Sequence, residues 1–303
     1  MFRAPTRIRW RTSSGRLRAN EGEKYRVGAM ARAAGREKER RRSGDHAGGA
    51  NALRLANKVA LVTGAASGFG QGIAERFARE GAALVVNDID RAGAERVAAA
   101  INREGGRAVA CAGDVSLDAD VAMLVRVAQE TYGRIDIVVN NAGTTHRNQP
   151  MLEVSEADFD RIYAVNVKSL FLSARHAVPV FRKQGGGVFI TIASTAGVRP
   201  RPGLTWYNGS KGAAIVTSRS MAAELAADRI RVNVINPVAG ETGMLAKFMG
   251  EDTPEMRAKF IASIPLGRLS LPSDIASAAV FLASDDAAFI TGACLEVDGG
   301  RCV

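Results

Sequence analysis

From Leu55 to the C-terminus, short aliphatic and β-branched runs alternate with amphipathic stretches. The strand-like runs are KVALVTG, AALVVND, RAVACAGDV, IDIVVNNAG, GVFITIAS, IRVNVINP and ACLEVDG. Helices are predicted between them, including residues 117–132, a long helix at 157–183, residues 206–227 and 255–263, and a last helix from Ser273, as N-cap, to Ser284. Strands joined through helices imply a parallel sheet covered on both faces. The pattern predicts a single α/β domain, doubly wound around about seven strands.

The first 54 residues differ from the rest in charge and in pattern. They contain 15 Lys+Arg and 5 Asp+Glu, a difference of +10 that equals the formal net charge of the whole chain. They show little apolar periodicity, so they bury too little surface to offset their ordering entropy. We therefore expect residues 1–54 to be a disordered basic extension and residues 55–303 to form one folded domain.

Three explanations of this extension stay open. It is Arg-rich and free of acidic residues through Asn20, as a transit peptide would be. It could equally be an arm that binds nucleic acid, or sequence that precedes the true start codon. The third explanation is favoured, because the segment has no structural pattern and joins abruptly to a complete domain.

Charge, cysteine and histidine placement exclude several classes of function for residues 55–303. This part carries 26 basic and 26 acidic residues, so the folded domain is not expected to bind nucleic acid. The cysteines form no CxxC pair and the histidines no HExxH motif, so neither a disulfide framework nor a metal site is predicted. No apolar run approaches the roughly 20 residues that span a bilayer. A cytoplasmic location is expected, or the mitochondrial matrix if the extension is a transit peptide.

A glycine-rich turn follows the first predicted strand and leads directly into a helix. It reads Thr63-Gly64-Ala65-Ala66-Ser67-Gly68-Phe69-Gly70. Glycines at these positions permit a tight turn, let the backbone approach a pyrophosphate and place that anion at a helix N-terminus. Such a turn can also be an ordinary strand-to-helix loop, but the strand before it and the helix after it favour a dinucleotide site.

Asp88 ends the second predicted strand, 18 residues after Gly70. A carboxylate at this place accepts hydrogen bonds from the adenosine ribose hydroxyls. A 2′-phosphate would meet like charge there, and neither Ser67 nor Ile89 is the Arg or Lys that NADP needs. The alternative is that Asp88 only caps a helix. The sequence therefore favours NAD as the cofactor, with NADP the less favoured.

Four motifs occur in an order that points to one family. They are TGxxxGxG at Thr63–Gly70, NNAG at 140–143, Ser194, and YxxxK at Tyr207 and Lys211. In this order they resemble the classical short-chain dehydrogenase/reductase family, and the resemblance covers about Leu55 to Val303. It implies a single-domain Rossmann-type fold that binds a dinucleotide and carries the catalytic site. It also implies the strand order 3-2-1-4-5-6-7 and commonly a homotetramer, with a homodimer as the alternative.

The resemblance also assigns cofactor contacts. The implied contacts are Gly64, Ser67, Gly68, Phe69 and Gly70 in the turn, Asp88, Asp114 and Val115 near the adenosine, Asn140, Ala142 and Gly143 after the fourth strand, Tyr207, Lys211, Pro237 and Thr242. Asn140 is placed near the adjacent ribose and Thr242 at the carboxamide of the nicotinamide. One departure occurs after the sixth strand, where Val238 stands in place of the family's usual glycine.

Tyr207 and Lys211 are four residues apart on one predicted helix, so their side chains share a face. An ammonium nearby is expected to lower the pKa of the phenol, which lets Tyr207 exchange a proton with an alcohol or a carbonyl. Ser194, at the end of the fifth strand, would hydrogen-bond the substrate oxygen. By the resemblance, Lys211 also holds the nicotinamide ribose, and Asn166 fixes a water on the proton path to that lysine.

Apolar residues after the sixth strand predict the character of the substrate. Met244, Leu245, Phe248 and Met249 form an apolar patch beside glycines, which fits a lid over a hydrophobic substrate as well as it fits simple packing or a subunit contact. His146 and Trp206 flank the motifs and are candidates to line the pocket or to be structural. No cluster of Arg or Lys between residues 243 and 265 marks a phosphate or carrier-protein substrate.

The predicted function is the interconversion of a secondary alcohol and a ketone by an NAD(H)-dependent dehydrogenase/reductase. The nearest enzyme alternative is an NADPH-dependent 3-oxoacyl-[acyl-carrier-protein] reductase, against which Asp88 counts. A regulatory protein that binds the cofactor without catalysis is disfavoured because all four catalytic positions are present. A nucleic-acid-binding role would belong to the basic extension alone.

Overall fold

A computed structural model describes residues 53–240, 243–250 and 253–303. The predictions about the basic extension fall almost entirely on residues 1–52, and these lie outside the described residues, as does Thr242. Residues 53–303 form a compact unit. Among the described helices, none is long and apolar enough to cross a membrane.

The strands form a parallel sheet at the centre of this unit. They are β1 (Val59–Val62), β2 (Ala83–Asp88), β3 (Arg107–Ala112), β4 (Ile137–Asn140), β5 (Gly187–Ile192), β6 (Ile230–Pro237) and β7 (Cys294–Val297). Within the described residues the sheet has seven strands in the order β3-β2-β1-β4-β5-β6-β7, all paired in parallel. The predicted fold class and strand order are confirmed.

Helices cross over between the strands and cover the sheet. They are α1 (Gly68–Arg79), α2 (Arg91–Arg103), α3 (Asp118–Tyr132), α4 (Glu156–Tyr163), α5 (Ser169–Gln184), α6 (Thr205–Leu225), α7 (Leu245–Met249), α8 (Pro254–Ala262) and α9 (Pro272–Ala283). Short 3₁₀ turns lie at Met151–Glu153, Thr195–Gly197, Ala226–Asp228 and Asp285–Ala287.

Alternation along the strands divides the core into two layers. In β1, Ala60 and Val62 belong to a cluster with α1, α2 and α9, whereas Val59 and Leu61 belong to a cluster with α3, α5 and α6. Successive side chains of a strand point to opposite faces, so a strand covered on both sides must be apolar throughout. This is why the strand runs of the sequence are continuous rather than alternating.

The long helix predicted at 157–183 is not one continuous α-helix. It is divided into α4 and α5 by a π-helical turn at Ala164–Lys168. A π turn inserts one extra residue into a helix, and such insertions are frequent at functional sites. Asn166, a predicted catalytic residue, lies within this turn. The helical periodicity continues through the turn, which is why the sequence pattern alone did not reveal it.

The prediction that Ser273 caps the last helix is wrong by two residues. The helix begins at Pro272 and its N-cap is Leu271. Proline is well placed at the first helical position because its missing N–H would have no helical partner there. The capping is instead completed from within the helix, where the Asp274 carboxylate accepts a hydrogen bond from the Leu271 N–H at 2.8 Å.

The topology fixes where a site can form. The order of the strands reverses between β1 and β4, and in open parallel sheets ligands bind in the crevice beyond the carboxyl ends of the strands at such a reversal. The glycine-rich turn follows β1, the NNAG motif begins with the last residue of β4, and Ser194 follows β5. Chain topology therefore brings these distant motifs to one edge of the sheet.

Candidate active site

Two glycines of the turn after β1 are required by space, and one of them, Gly64, is also required by conformation. Gly64 has a φ of +62°, and a Cβ there would lie 2.8 Å from the Cα of Ala142. A Cβ on Gly70 would lie 2.1 Å from the carbonyl oxygen of Gly64. Real Cβ atoms do not approach other atoms so closely, so neither position accepts a larger residue without movement of the backbone. The turn is thereby held close against the end of β4.

Asn141, which the sequence reasoning did not select, joins the ends of β1 and β4. Its side-chain amide donates hydrogen bonds to the carbonyl oxygens of Thr63 and Gly64 at 2.8 and 2.9 Å. The Thr63 hydroxyl accepts in return from the backbone N–H groups of Asn141 and Ala142, each at 3.1 Å. The position of Asn141 within the NNAG motif was the available signal.

The N-terminus of α1 fits an anion. Its N-cap, Ser67, makes no side-chain hydrogen bond to the helix, and no acidic residue occupies the first turn. The first N–H groups of the helix therefore have no side-chain acceptor from the cap, and the helix dipole favours a negative charge there. The residues present fit the pyrophosphate of a dinucleotide.

A cleft of about 530 Å³, here called the cofactor cleft, lies along this edge of the sheet. Nine residues of the predicted cofactor set line it: Gly64, Ser67, Gly68, Phe69, Asp88, Asp114, Val115, Ala142 and Gly143. The structure adds Asn87, Ile89, Gly113, Asn141, Thr144 and Arg161. The volume lies within the range of small-molecule and cofactor sites.

Two predicted cofactor residues lie behind the cleft rather than in it. Gly70 is buried, and its role is the close approach to Gly64 described above. Asn140 is the last residue of β4 and is buried, and its side-chain Nδ2 has no hydrogen-bond partner among the described residues. Neither side chain is a lining group of the cleft.

Asp88 ends β2 at the rim of the cofactor cleft. One carboxylate oxygen accepts from the Ala66 N–H at 2.9 Å, and the other accepts from the Asp90 N–H at 3.0 Å. A carboxylate has about four acceptor sites, so both oxygens retain capacity for hydroxyl donors. Helix capping, the alternative considered for Asp88, is performed instead by Asp90, whose side chain accepts from the Gly93 N–H at the start of α2.

A second, smaller cavity adjoins the cofactor cleft and shares Phe69, Asn141, Gly143 and Met244 with it. We call it the catalytic cavity. Its further lining residues include the predicted Ser194, Tyr207, Lys211 and Pro237, together with Arg201 and Phe248. The structure thus brings three of the four predicted catalytic side chains into one cavity beside the cofactor cleft.

Ser194 and Tyr207 form the polar core of this cavity. Ser194 caps the 3₁₀ turn Thr195–Gly197, and its hydroxyl accepts from the Ala196 N–H at 3.1 Å. Burial raises the pKa of Tyr207 to about 12, while its hydrogen bond to Ser194 and the charge of Arg201 act in the opposite direction. The expectation that the Tyr207 pKa is lowered toward neutrality therefore does not hold in the protein alone, because desolvation outweighs both effects.

Lys211 is buried one turn further along α6. Its Nζ donates a hydrogen bond to the Ile192 carbonyl at 3.0 Å and lies 5.9 Å from the centre of the Tyr207 ring. Burial lowers its pKa to about 8. A Cβ on Gly143 would lie 3.3 Å from this Nζ, so the glycine leaves room for the ammonium beside the cofactor cleft.

Asn166 lies behind the cavity and is held by three hydrogen bonds. Its Oδ1 accepts from the Thr144 N–H at 2.8 Å, and its Nδ2 donates to the Thr144 carbonyl and to the Ser210 hydroxyl, each at 2.9 Å. Ser210 in turn donates to the Tyr207 carbonyl at 2.8 Å. Asn166 therefore connects the π turn to the helix that carries Tyr207 and Lys211.

The departure at Val238 has a structural explanation. Val238 is buried in a cluster with Ala239 and Leu245, and its φ is not positive, so glycine is not required there. The close approach occurs two residues later, where a Cβ on Gly240 would lie 2.4 Å from the ring of Phe69. In this chain the glycine requirement after β6 falls on Gly240.

The apolar segment after β6 covers the catalytic cavity. Phe248 packs on Tyr207 with ring centres 5.2 Å apart, and Met244 joins the same cluster. The free volume of the cavity is about 50 Å³, less than an organic substrate fills. Phe248 and Met244 therefore fill the space beside Tyr207, and both the lid and the packing interpretations of this segment stay predictions.

The two pocket candidates that flank the motifs do not line either cavity. The Trp206 indole donates to the Met151 carbonyl at 3.1 Å and packs edge-on against Phe159, so it belongs to the packing of α4 against α6. His146 is buried, with its Nδ1 2.7 Å from the Arg147 carbonyl. Trp206 therefore has a structural role in helix packing, and His146 likewise lines neither the cofactor cleft nor the catalytic cavity.

A family model described as Enoyl-(Acyl carrier protein) reductase matches residues 64–301, a range that contains the whole site. The chain belongs to the short-chain dehydrogenase/reductase family. The family predicted from the four motifs is confirmed, and the chain is an oxidoreductase of that family.

Several relatives of this short-chain dehydrogenase/reductase match over their nearly complete length. The 4-formylbenzenesulfonate dehydrogenase of Comamonas testosteroni is 54% identical over 82% of this chain and 99% of the relative. A 7alpha-hydroxysteroid dehydrogenase of Escherichia coli is 40% identical over 82% of this chain and 95% of the relative. The crystal structure of a 3-ketoacyl-(acyl-carrier-protein) reductase from Brucella melitensis, complexed with NADH, has 48% identity and a TM-score of 0.77, and covers 82% of this chain and 100% of that structure.

The burial of Lys211 predicts a pH-dependent stability. Its pKa is 10.5 in an unfolded chain and about 8 in the fold, so between these values the unfolded state binds more protons and stability rises with pH. Relative to Lys211→Met, the apoprotein should gain about 2 kcal/mol in unfolding free energy between pH 7.5 and pH 10. Urea unfolding of both proteins at the two pH values measures this. The lost hydrogen bond to Ile192 adds a constant offset, so a difference independent of pH would contradict the desolvation of Lys211.

Proposed function

We propose that this protein is an NAD(H)-dependent dehydrogenase/reductase that interconverts a secondary alcohol and a ketone. The observation that carries the proposal is the buried Tyr207 side chain, which lines, together with Ser194 and Lys211, a cavity that adjoins the cofactor cleft. A bound nicotinamide supplies hydride transfer to or from the carbon of the substrate. The protein's own side chains then need only to bind the oxygen and move its proton.

The roles of the side chains follow from their positions. Ser194 and Tyr207 hydrogen-bond the substrate oxygen, and Tyr207 donates the proton in reduction or receives it in oxidation. Lys211 supplies a positive charge that favours the phenolate when the proton leaves. Because both groups are buried, the alcohol reacts in a site from which bulk water is excluded, where this charge acts with little screening. Asn166 positions the catalytic helix through Ser210 and Tyr207.

Asp88 supports a preference for NAD over NADP. Its carboxylate lies on the cleft at the end of β2, where a 2′-phosphate would be repelled. Two structural relatives with 48% and 40% identity are described as complexes with NADH. Thr242, which lies outside the described residues, is proposed as the contact to the carboxamide by family resemblance alone.

Phe248 and Met244, which cover the catalytic cavity, support a carbonyl compound or alcohol with apolar character as the substrate. The names of two relatives agree with a carbonyl or alcohol substrate. The relative with 54% identity is named for an aldehyde that carries a sulfonate on an aromatic ring, and another relative acts on hydroxysteroids by name. A reductase of 3-oxoacyl-[acyl-carrier-protein] is the second candidate, favoured by the name of the structure with 48% identity. An assay of ketones, aldehydes and acyl thioesters with each nicotinamide distinguishes these candidates.

Assembly into a homotetramer is also proposed. The family resemblance implies a tetramer built on the long helices and the C-terminal strand. Two apolar side chains are exposed on the long helices, Phe171 on α5 at 58% and Val216 on α6 at 64%. Exposed apolar residues on packed helices are a common feature of subunit interfaces. Cytoplasmic localisation is proposed for the domain of residues 55–303.

Removal of the Tyr207 hydroxyl should abolish turnover without loss of cofactor binding. In Tyr207→Phe the ring packing on Phe248 is preserved, but the proton donor is lost, so kcat should fall about 1000-fold or more. Steady-state turnover and the fluorescence of bound NADH measure the two properties separately. Tyr132→Phe removes a phenol that donates to the Leu84 carbonyl, outside the site, and serves as the matched control. Retained activity in Tyr207→Phe would remove Tyr207 from the reaction.

Replacement of Asp88 should change the cofactor preference. The wild type should use NAD with the higher kcat/KM, and Asp88→Ala should lower the NAD to NADP ratio of kcat/KM by about 10-fold or more, because the ribose acceptor and the repulsive charge are both lost. Asp90→Asn, which keeps a helix-capping side chain in the same loop, should leave the ratio unchanged. A wild type that prefers NADP would contradict the assignment of Asp88.

A charge at Phe171 should weaken the assembly. Sedimentation velocity of the wild type should report a tetramer, and Phe171→Asp should shift the protein toward smaller species, because an unpaired charge would be buried in an apolar contact. Leu152 is 88% exposed on the 3₁₀ turn Met151–Glu153, and Leu152→Asp is the control for surface charge. An unchanged assembly in Phe171→Asp would place the interface elsewhere.

A further inference from the structure

Arg201 is a charged group in the catalytic cavity that the reaction itself does not use. It lines the cavity together with Ser194 and Tyr207, and it follows β5 in the loop that leads to the catalytic helix. Arg201 lies outside residues 243–265, where a basic cluster would have predicted an anionic substrate. It stands in the segment RPRPGL, immediately before Thr205 and the start of α6.

The guanidinium of Arg201 has no carboxylate partner among the residues that the structure describes. Its contact is with the ring of Phe260, 4.6 Å from the guanidinium carbon to the ring centre. The surroundings add positive rather than negative charge: burial lowers the pKa of Arg201, and so does the nearby Arg301. A partly buried guanidinium without an anion is costly, because its lost hydration is not replaced by charge-assisted hydrogen bonds.

No acidic side chain of the described C-terminal turn forms an ion pair with the Arg201 guanidinium. Arg199 donates to the Arg301 carbonyl at 2.6 Å, which ties a third guanidinium to the same turn. Asp298 accepts hydrogen bonds from the Gly300 and Cys302 N–H groups with its two oxygens, at 2.9 and 2.8 Å, so it is engaged within the turn. The field at Arg201 therefore favours an anion that is not part of the described chain.

Apart from Asn141 and Lys211, the rest of the cavity lining consists of apolar residues and glycines. Phe248 packs on Tyr207, and Met244 and Ala196 belong to the same cluster. A substrate that displaces Phe248 and Met244 would therefore meet hydrogen-bonding groups at Ser194 and Tyr207, a cation at Arg201, and apolar walls between them. This pattern describes a molecule with a carbonyl or alcohol at one end, an apolar body and an anionic group at the other end.

We propose that Arg201 binds a carboxylate or sulfonate group of the substrate and so selects anionic carbonyl compounds and alcohols. The inference rests on the proposed dehydrogenase function, which it narrows to a substrate class. A planar guanidinium forms two parallel hydrogen bonds with a carboxylate or sulfonate, and a partly buried donor left without its acceptor penalises a neutral analogue.

The test compares ketones of one shape that differ in charge. The reduction of 4-acetylbenzenesulfonate, 4-acetylbenzoate and neutral 4-methylacetophenone by NADH is measured for the wild type, Arg201→Met and Arg201→Lys. The wild type should favour the anionic ketones in kcat/KM, and in Arg201→Met the ratio of anionic to neutral kcat/KM should fall about 30-fold, mainly through KM. Arg201→Lys should lie between them. Arg199→Gln, a loss of the same charge two residues away and outside the lining, should leave the ratio unchanged.

A binding measurement separates this inference from the proposed function. The unreactive probe 4-ethylbenzenesulfonate is titrated calorimetrically into each protein in the presence of NADH. Loss of probe binding in Arg201→Met supports the anion site even if no ketone of the panel is reduced, an outcome that would count only against the proposed reaction. The inference is overturned if the wild type favours the neutral ketone. It is also overturned if Arg201→Met and Arg201→Lys alter subunit assembly but leave the ratio of anionic to neutral kcat/KM unchanged. Retained binding of the probe in Arg201→Met overturns it as well.

Discussion

The hydrogen bonds between Thr63 and Asn141 are the junction from which the site is built. They join the carboxyl ends of β1 and β4, the two strands at which the order of the sheet reverses. The glycine-rich turn packs against this junction so closely that Gly64 and Gly70 allow no side chain. The shape of the cofactor cleft, and of the catalytic cavity next to it, therefore depends on close backbone contacts. A single added methyl group would disturb these contacts.

Desolvation governs the electrostatics of the catalytic groups. The spacing of Tyr207 and Lys211 suggests a pair in which the ammonium lowers the pKa of the phenol, yet burial moves the two pKa values in unfavourable directions, to about 12 and about 8. The same burial strengthens the electrostatic interaction of these two groups with any charge that develops between them. The stability given up at Lys211 is consistent with the proposed proton transfer at Tyr207.

The parallel sheet, the glycine-rich turn and the spacing on the catalytic helix were predictable because each depends on local pattern, whereas the strand order was implied by the family resemblance. Alternating strands and helices determine a parallel sheet, and the positions of Tyr207 and Lys211 on one face follow from helix geometry alone. The π turn at Ala164–Lys168 was not predictable, because one extra residue leaves the periodicity of the flanking helices intact. Arg201 was not selected because its importance depends on which distant residues surround it, and a loop sequence does not encode that.

The proposed role of Arg201 shows how a shared reaction can be combined with a particular substrate. In the proposed reaction, Ser194, Tyr207 and Lys211 act on the oxygen of an alcohol or carbonyl and make no distinction between molecules that carry one. Apolar walls distinguish related molecules only weakly, since a methylene group contributes about 1 kcal/mol. An uncompensated guanidinium in the same cavity discriminates more strongly, because a neutral substrate leaves it both dehydrated and unpaired. Selectivity in this chain is therefore expected to come from the loop before α6, while the chemistry comes from the helix itself.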